Sequence, residues 1–408
     1  MPLLIFERHL IWSRQNPDGG VSRLYYYDEV TWVVAALVVA WLAWLLIVRY
    51  RRARALRRTP RRRADTRALK RVVRRKRELS ERYLRPGFSA NIHAVGIGLL
   101  GADYCIQVFV NNPAREVWPG ATAAALPATY RGVPVRVIRM RPAVFISGAG
   151  PYAGGIREPQ EVIVGGISGA NTNLSGQSGT IGYFCTRRSK WPRRPEVLML
   201  SNSHVFADLR KGRVDDGDLI VQPSPGERAT GRPIGSLVNF AELKFGGDTK
   251  EPNHVDAAVA KLWGPNRHTP VIPLIGAVKG HVGKKDVRPG EAVRKYGRTT
   301  GYTEGSVFSV CLDIRIGYDR TGQSAFFRDQ ILVAPSLPDH THFVRKGDSG
   351  SLLVDGGRYA LGLVFAGMPK TPEAQPAAPD PQAPSVENYG VANPIGEVLD
   401  RLNIELLI

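Results

Sequence analysis

The sequence predicts a mainly β protein: a β domain over residues 160–408, preceded by a membrane-spanning helix and a small α/β module. Three observations predict it. From about residue 160, short apolar runs recur between Gly, Pro and Asn turns, the pattern of antiparallel barrels or sandwiches. Nineteen consecutive residues, Val30–Val48, carry no charge. Between these two regions lies a helix-patterned stretch followed by short strands. A chain of 408 residues has the length for two or three folded units, and its 43% hydrophobic content is ample for a core.

Residues 1–29 form an N-terminal segment without a motif. Over Val30–Val48, nineteen residues at 1.5 Å rise give roughly 28 Å of helix, the thickness of a hydrocarbon core. Trp32, Trp44 and Tyr50 stand near its ends, where interfacial aromatics sit. A buried core helix of this length would carry a polar stripe, and this stretch has none. A secretory signal would place its basic residues before the apolar run; here they follow it. The net charge of +20 is uneven: sixteen Arg and Lys lie between Arg49 and Arg77, opposed only by Asp65. The positive-inside rule therefore puts everything after residue 50 in the cytoplasm. Cys105, Cys185 and Cys311, odd in number and widely spaced, form no disulfide framework, which fits a reducing compartment. They read as small buried hydrophobes.

Residues 49–85 read as a basic juxtamembrane segment and helix. Beyond Tyr50, Arg49–Arg77 lacks the interleaved aromatics that stack on bases, so anionic lipid is preferred to nucleic acid as its partner. The blander alternative is a topology signal with no ligand. Thr66–Leu84 carries Leu69, Val72, Val73 and Leu79 on one stripe, and Pro86-Gly87 ends it. Strands follow at Ile92–Leu99, Tyr104–Val110 and Val133–Met140, so residues 86–150 read as a small α/β module without a catalytic constellation. Gly148–Gly155 is a joint, and no Gly-Lys-Ser/Thr makes it a phosphate loop.

Strands of the β domain are expected at Glu161–Gly165, Gly179–Cys185, Glu196–Leu200, Leu219–Gln222, Ala257–Leu262, Ala292–Tyr296, Ser306–Arg315, Gln330–Pro335, Ser351–Val354 and Leu361–Ala366. Within this run, Gly347-Asp348-Ser349-Gly350 precedes the apolar Leu352-Leu353-Val354. A serine between glycines in a tight turn is an exposed nucleophile, with the N–H groups of Gly347 and Ser349 aimed at one point; a plain Gly-Asp hairpin turn is the alternative. Such a hydroxyl needs an adjacent base held by a third group. His204, in Leu200-Ser-Asn-Ser-His-Val-Phe-Ala207, and Asp256, in Asn253-His-Val-Asp-Ala-Ala-Val-Ala260, are the candidates. His254 is the rival base and is taken as structural. Asp208, Asp215, Asp216, Asp218 and Asp248 sit in polar stretches and read as solvated.

These motifs resemble those of the chymotrypsin/trypsin-like serine proteases, in the order His, Asp, Ser. Two further stretches are similar to that family: Gly176–Cys185 before the histidine, and Lys295-Tyr-Gly-Arg-Thr-Thr-Gly-Tyr-Thr-Glu-Gly-Ser-Val307, like the hairpin opening the second barrel. A last strand, Tyr389–Ala392, and a helix from Pro394 to Leu402 also match the family's ending. The resemblance covers roughly residues 160–400. It implies two antiparallel β-barrels and a serine endopeptidase in which His204 takes the proton of Ser349, Asp256 orients His204, and the amides of Gly347 and Ser349 hold the oxyanion. It implies a primary pocket near Phe343, Phe365, Ala366 and Gly367. No Asp stands at its floor, so a preference for Lys or Arg is not expected, and His342 offers a preference for acidic residues. The Pro/Ala-rich loop Met368–Val386 lies beside the pocket wall as a gate or a tolerated insertion. Peptide or protein substrates are implied, and no metal or cofactor is required. The alternative is a catalytically silent protease fold used as a binding module at the membrane.

Overall fold

The computed structural model of the protein describes residues 9–15, 17–19, 21–26, 40–41 and, from 63 onward, all but 86–90, 112–125, 147–154, 175, 189–195, 228–229, 247–248, 265, 319–322, 337–340 and 370–387. The chain divides into two compact units, Met1–Leu56 and Arg57–Ile408. In the first, His9–Gln15 and Val21–Tyr26 pair as an antiparallel hairpin that the sequence reading did not anticipate. Except for Ala40 and Trp41, the expected span Val30–Val48 lies outside the described residues. Among the described residues no helix is long and apolar enough to cross a membrane. Asp248, most of the joint Gly148–Gly155 and the Met368–Val386 loop beyond Pro369 also lie outside them.

The second unit opens with helix α1 (Arg63–Tyr83). Leu69, Val72, Leu79 and Tyr83, spaced by three, seven and four residues, fall on one face of the helix and are buried, so that face lies on the sheet behind it. Lys76 falls on that same face. It is buried and pairs with Asp313 at 2.6 Å, so it faces the sheet and not solvent. Arg67, Lys70, Arg71, Arg74 and Arg77 remain exposed.

The longer strands that follow are β1 (Ile92–Leu100), β2 (Asp103–Val110) and β3 (Val133–Arg139), with the two-residue Thr129–Tyr130 paired to β3, and then comes the short β4 (Ala143–Phe145). β1 and β2 pair antiparallel, and β3 runs parallel to β2. The first three match the expected strands to within a residue; β4 was not anticipated.

The first barrel uses β5 (Ile167–Ser168), β6 (Ala170–Asn171), β7 (Thr180–Ile181), β8 (Tyr183–Arg187), β9 (Leu198–Ser201), β10 (Leu219–Gln222), β11 (Arg232–Phe240) and β12 (Ala258–Leu262), with helix α2 (Ser203–Phe206) after β9. β6, β10, β11, β12, β9 and β8 pair in that order. The ring closes because β5 runs on into β6 and β7 into β8, and β5 pairs β7. Strand β11 was missed in the sequence, since Pro233 and Gly235 break its apolar run and a bulge shifts its register against β12.

The second barrel contains β13 (Ala292–Gly297), β14 (Gly301–Tyr318), β15 (Gln323–Pro335), β16 (Leu352–Asp355), β17 (Tyr359–Pro369) and β18 (Asn388–Pro394). They pair as β13-β14-β15-β18-β17-β16, and β16 returns to β13, so this ring also closes. Helix α3 (Ile395–Leu402) and β19 (Ile404–Leu406) finish the chain, β19 adding to β8 of the first barrel. The fold is mainly β, with two antiparallel barrels.

The module does not stand apart from the second barrel. Its β1 pairs antiparallel with β14 (Val310↔Ile97). Strand β14 is 18 residues long and bulged, so one part serves the barrel and another the module. β4 runs parallel to the end of β14 and antiparallel to β17.

Candidate active site

The turn Gly347–Gly350 lies where the two barrels meet. Gly347 (φ +100°) and Gly350 (φ +96°) adopt backbone that side chains disfavour. A Cβ on Gly350 would stand 2.1 Å from the Thr180 carbonyl oxygen, and one on Gly347 would stand 2.4 Å from Thr299 Oγ1. From the first barrel, the Thr180 N–H donates to the Ser349 carbonyl (2.8 Å) and Thr180 Oγ1 to that of Gly347 (2.9 Å). Asp348 points inward and organises the turn from beneath. Its carboxylate accepts the N–H groups of Thr299 (2.9 Å), Thr300 (3.0 Å) and Arg345 (2.9 Å) and the Thr300 hydroxyl (2.8 Å). Lys295 Nζ lies 3.6 Å from it, fully buried. Burial pushes the Lys295 pKa down, and the Asp348 carboxylate opposes that only in part.

His204 stands on α2, directly after β9. Ser203 Oγ, within bonding distance of the carbonyls of Ala241 (2.7 Å) and Ala257 (2.9 Å), ties α2 to the entrance of β12. Asn202 Nδ2 donates to the carbonyl of Asp256 (2.7 Å). These bonds bring two residues 52 positions apart together: His204 Nδ1 bonds Asp256 Oδ2, while the His204 N–H donates to Oδ1 (3.3 Å). His204 Nε2 lies 2.9 Å from Ser349 Oγ, which is also 3.2 Å from the Phe365 carbonyl oxygen. An ionised carboxylate only accepts, so Nδ1 carries the ring proton and Nε2 is left as the acceptor facing Ser349. All three side chains are buried.

The structure thus brings Ser349, His204 and Asp256 into one hydrogen-bonded line, with Gly347 in the adjoining turn. Phe343 is buried, its ring centroid 5.6 Å from Lys295 Nζ. Phe365, Ala366 and Gly367 follow one another on β17 beside Ser349. His342 sits to one side, Nδ1 bonded to the Thr341 hydroxyl (2.8 Å) and 3.4 Å from Arg345 Nη2; burial, then the Arg345 charge, lowers its pKa. His254 is exposed, and its backbone carbonyl accepts from Gln330 Nε2 (3.0 Å). One expectation is corrected. Asp208 and Asp218 are buried, not solvated, because Arg210 pairs with the first and Asn171 and the Asp215 amide donate to the second.

Sequence reasoning missed Asn393. Its Oδ1 accepts the Asp256 N–H (3.0 Å) and its Nδ2 donates to Gln330 (2.6 Å), so β18 fixes the backbone of Asp256. A lone Asn amid Gly390-Val-Ala-Asn-Pro394 was the available signal. Also missed was β4. Phe145 lies against His204, ring centroids 4.9 Å apart, and the Gly347 N–H donates to the Ile146 carbonyl.

Among the described residues no group of His, Cys, Asp and Glu is arranged to hold a metal ion. No protein-family model matches the chain, and a search of curated proteins finds no match. Solved structures do match. The chymotrypsin of Cellulomonas bogoriensis is 17% identical, with 60% of this chain and 98% of that chain covered and a TM-score of 0.36. Protease A of Thermobifida fusca is 16% identical over 60% of this chain and 98% of its own, with a TM-score of 0.36. A glutamic acid-specific serine protease is 14% identical over 60% of this chain and 100% of its own, with a TM-score of 0.37.

Proposed function

We propose that the protein is a serine endopeptidase, anchored by residues 30–48 with its catalytic domain facing the cytoplasm. The observation that supports the catalytic reading is the unbroken line from Asp256 through His204 to Ser349 Oγ. In this reading His204 Nε2 removes the Ser349 proton as Oγ attacks a peptide carbonyl, and Asp256 holds the tautomer and steadies the imidazolium. The developing oxyanion is held by the Gly347 and Ser349 amides, each such donor contributing about 3 kcal/mol to the barrier reduction. The anchor rests on the uncharged run and the charge asymmetry around it.

The full chain, solubilised in detergent, should react with a fluorophosphonate at Ser349. Ser349→Ala should abolish labelling, and His204→Ala should slow it by several orders of magnitude. A folded wild type that never labels, even with the cleft opened by Phe145→Ala, would leave the binding-module reading in its place.

A further inference from the structure

The Gly347 N–H points into the cleft, where the Ile146 carbonyl accepts it. Glycine backbone does not by itself compel that direction. At φ +100° and without a Cβ, Gly347 offers little resistance to rotation of the Lys346–Gly347 peptide. None of the four hydrogen bonds to the Asp348 carboxylate touches that peptide. What holds it is its other end. The Lys346 carbonyl accepts the Thr299 hydroxyl at 2.6 Å. In a planar trans peptide, a carbonyl pinned on one side leaves the N–H pointing to the other. The direction of the hydroxyl is fixed in turn. Arg298 Nη1 lies 2.9 Å from Thr299 Oγ1, and a guanidinium only donates, so the single Thr299 proton is left for Lys346. Arg298 Nε donates to Glu227 Oε1, which also accepts the Ser168 hydroxyl (2.9 Å), while Glu227 Oε2 accepts Arg157 Nε (2.7 Å). Burial raises the Glu227 pKa, but Arg298, helped by Arg157 and Ser168, more than reverses this and leaves it below the usual carboxylate value.

We infer that Thr299 is a positioning residue for the proposed reaction, with Arg298 and Glu227 behind it: together they hold the Lys346–Gly347 peptide so that its N–H meets the oxyanion. This rests on the protease reading and names what keeps that site competent. Arg298 is fully buried, and its Nη2 finds no hydrogen-bond partner among the described residues. A buried guanidinium left partly unsatisfied is costly to the fold. Its location accounts for the cost. A Cβ on Gly347 would stand 2.6 Å from Arg298 Nη1, so the guanidinium lies against the oxyanion turn itself. Hydrogen bonds in a chain polarise one another. A carbonyl drawn toward a guanidinium-bound hydroxyl leaves the N–H of the same peptide a stronger donor. The relay also crosses the molecule. Ser168 and Glu227 belong to the first barrel, Arg298 and Thr299 to the turn between β13 and β14 of the second. The barrels must therefore be docked before the Gly347 N–H is aimed.

The test uses the full chain in detergent and a fluorophosphonate, whose phosphoryl oxygen takes the place of the oxyanion. Thr299→Val keeps the shape and removes the hydroxyl. It should lower the maximal labelling rate about 10- to 100-fold, less than the roughly 100- to 1,000-fold that complete removal of such a donor costs. The half-saturating probe concentration and the pH of half-maximal labelling should match wild type, because His204 and Asp256 are untouched. Thr299→Ser should restore most of the rate, and Glu227→Gln should show a smaller loss of the same kind. A folded Thr299→Val that labels at the wild-type rate overturns the inference and leaves the protease reading standing. So does a Thr299→Ser as slow as Thr299→Val, or a loss that falls on half-saturation or on the pH midpoint, the marks of a damaged pocket or triad. If Thr299→Val does not fold, Glu227→Gln decides: slowing of the maximal rate alone supports the relay, and labelling at the wild-type rate overturns it. Should wild type not label, every comparison is made in Phe145→Ala; if that does not label either, the protease reading falls and the inference with it.

Discussion

Asp348 carries more of the site's architecture than its place in the Gly-Asp-Ser-Gly motif suggests. One carboxylate receives three backbone amides and a hydroxyl and faces a buried lysine. Breaking a buried pair by removing one partner costs about 3–5 kcal/mol, because the other charge stays behind. Asp348→Asn should therefore lower thermal stability sharply, and Lys295→Met added to it should regain part of the loss. A double variant no more stable than Asp348→Asn would show that the amide bonds, not the ion pair, dominate. His204, Asp256 and Ser349 were legible in sequence because each sits in a short local motif. Lys295 was legible only as part of a hairpin, since its partner lies 53 positions away, and Asn393 showed only as a lone polar residue in an apolar strand, with nothing to name its partner. Hydrogen bonds between distant strands leave no local pattern.

Periodicity exposed most individual elements: α1, β1, β2, β3 and the strands around the motifs appear where apolar spacing placed them. The pairing of β1 with β14 and of β4 with β17 was invisible, because Ala143-Val-Phe145 reads as any short apolar run and its partner follows more than 200 positions later. The bulges that let β14 serve both neighbours likewise have no signature in hydrophobic alternation. The module also holds a titrating group. His93 on β1 is fully buried with Nε2 2.8 Å from the Met140 carbonyl oxygen, and burial lowers its pKa from 6.5 to about 4. Between those values the unfolded chain binds a proton that the folded one does not, so stability falls as pH drops from 6.5 to 4 and His93 adds no slope above 6.5. The loss is at most about 3 kcal/mol. Urea midpoints at pH 7 and pH 4.5 should differ more in wild type than in His93→Phe; equal differences would remove His93 as the cause.

At the scale of the molecule, charge and attachment matter most. The net +20 is concentrated before and along α1, where Arg67, Lys70, Arg71, Arg74 and Arg77 stay exposed. Each basic residue near an anionic surface contributes about 1 kcal/mol. A chain beginning at Arg49 should bind vesicles containing anionic lipid, weaken steeply with salt and ignore neutral vesicles. If short duplex DNA strips it from those vesicles at equal phosphate and physiological salt, nucleic acid becomes the better partner. The pairing of β1 with β14 bears on occupancy in another way. Because β4 is delivered by a module already sharing a sheet with the second barrel, it meets the cleft at an effective concentration set by geometry, not by how much protein is present. Dilution therefore cannot empty the cleft; only unzipping β1 from β14, or destroying the module outright, can.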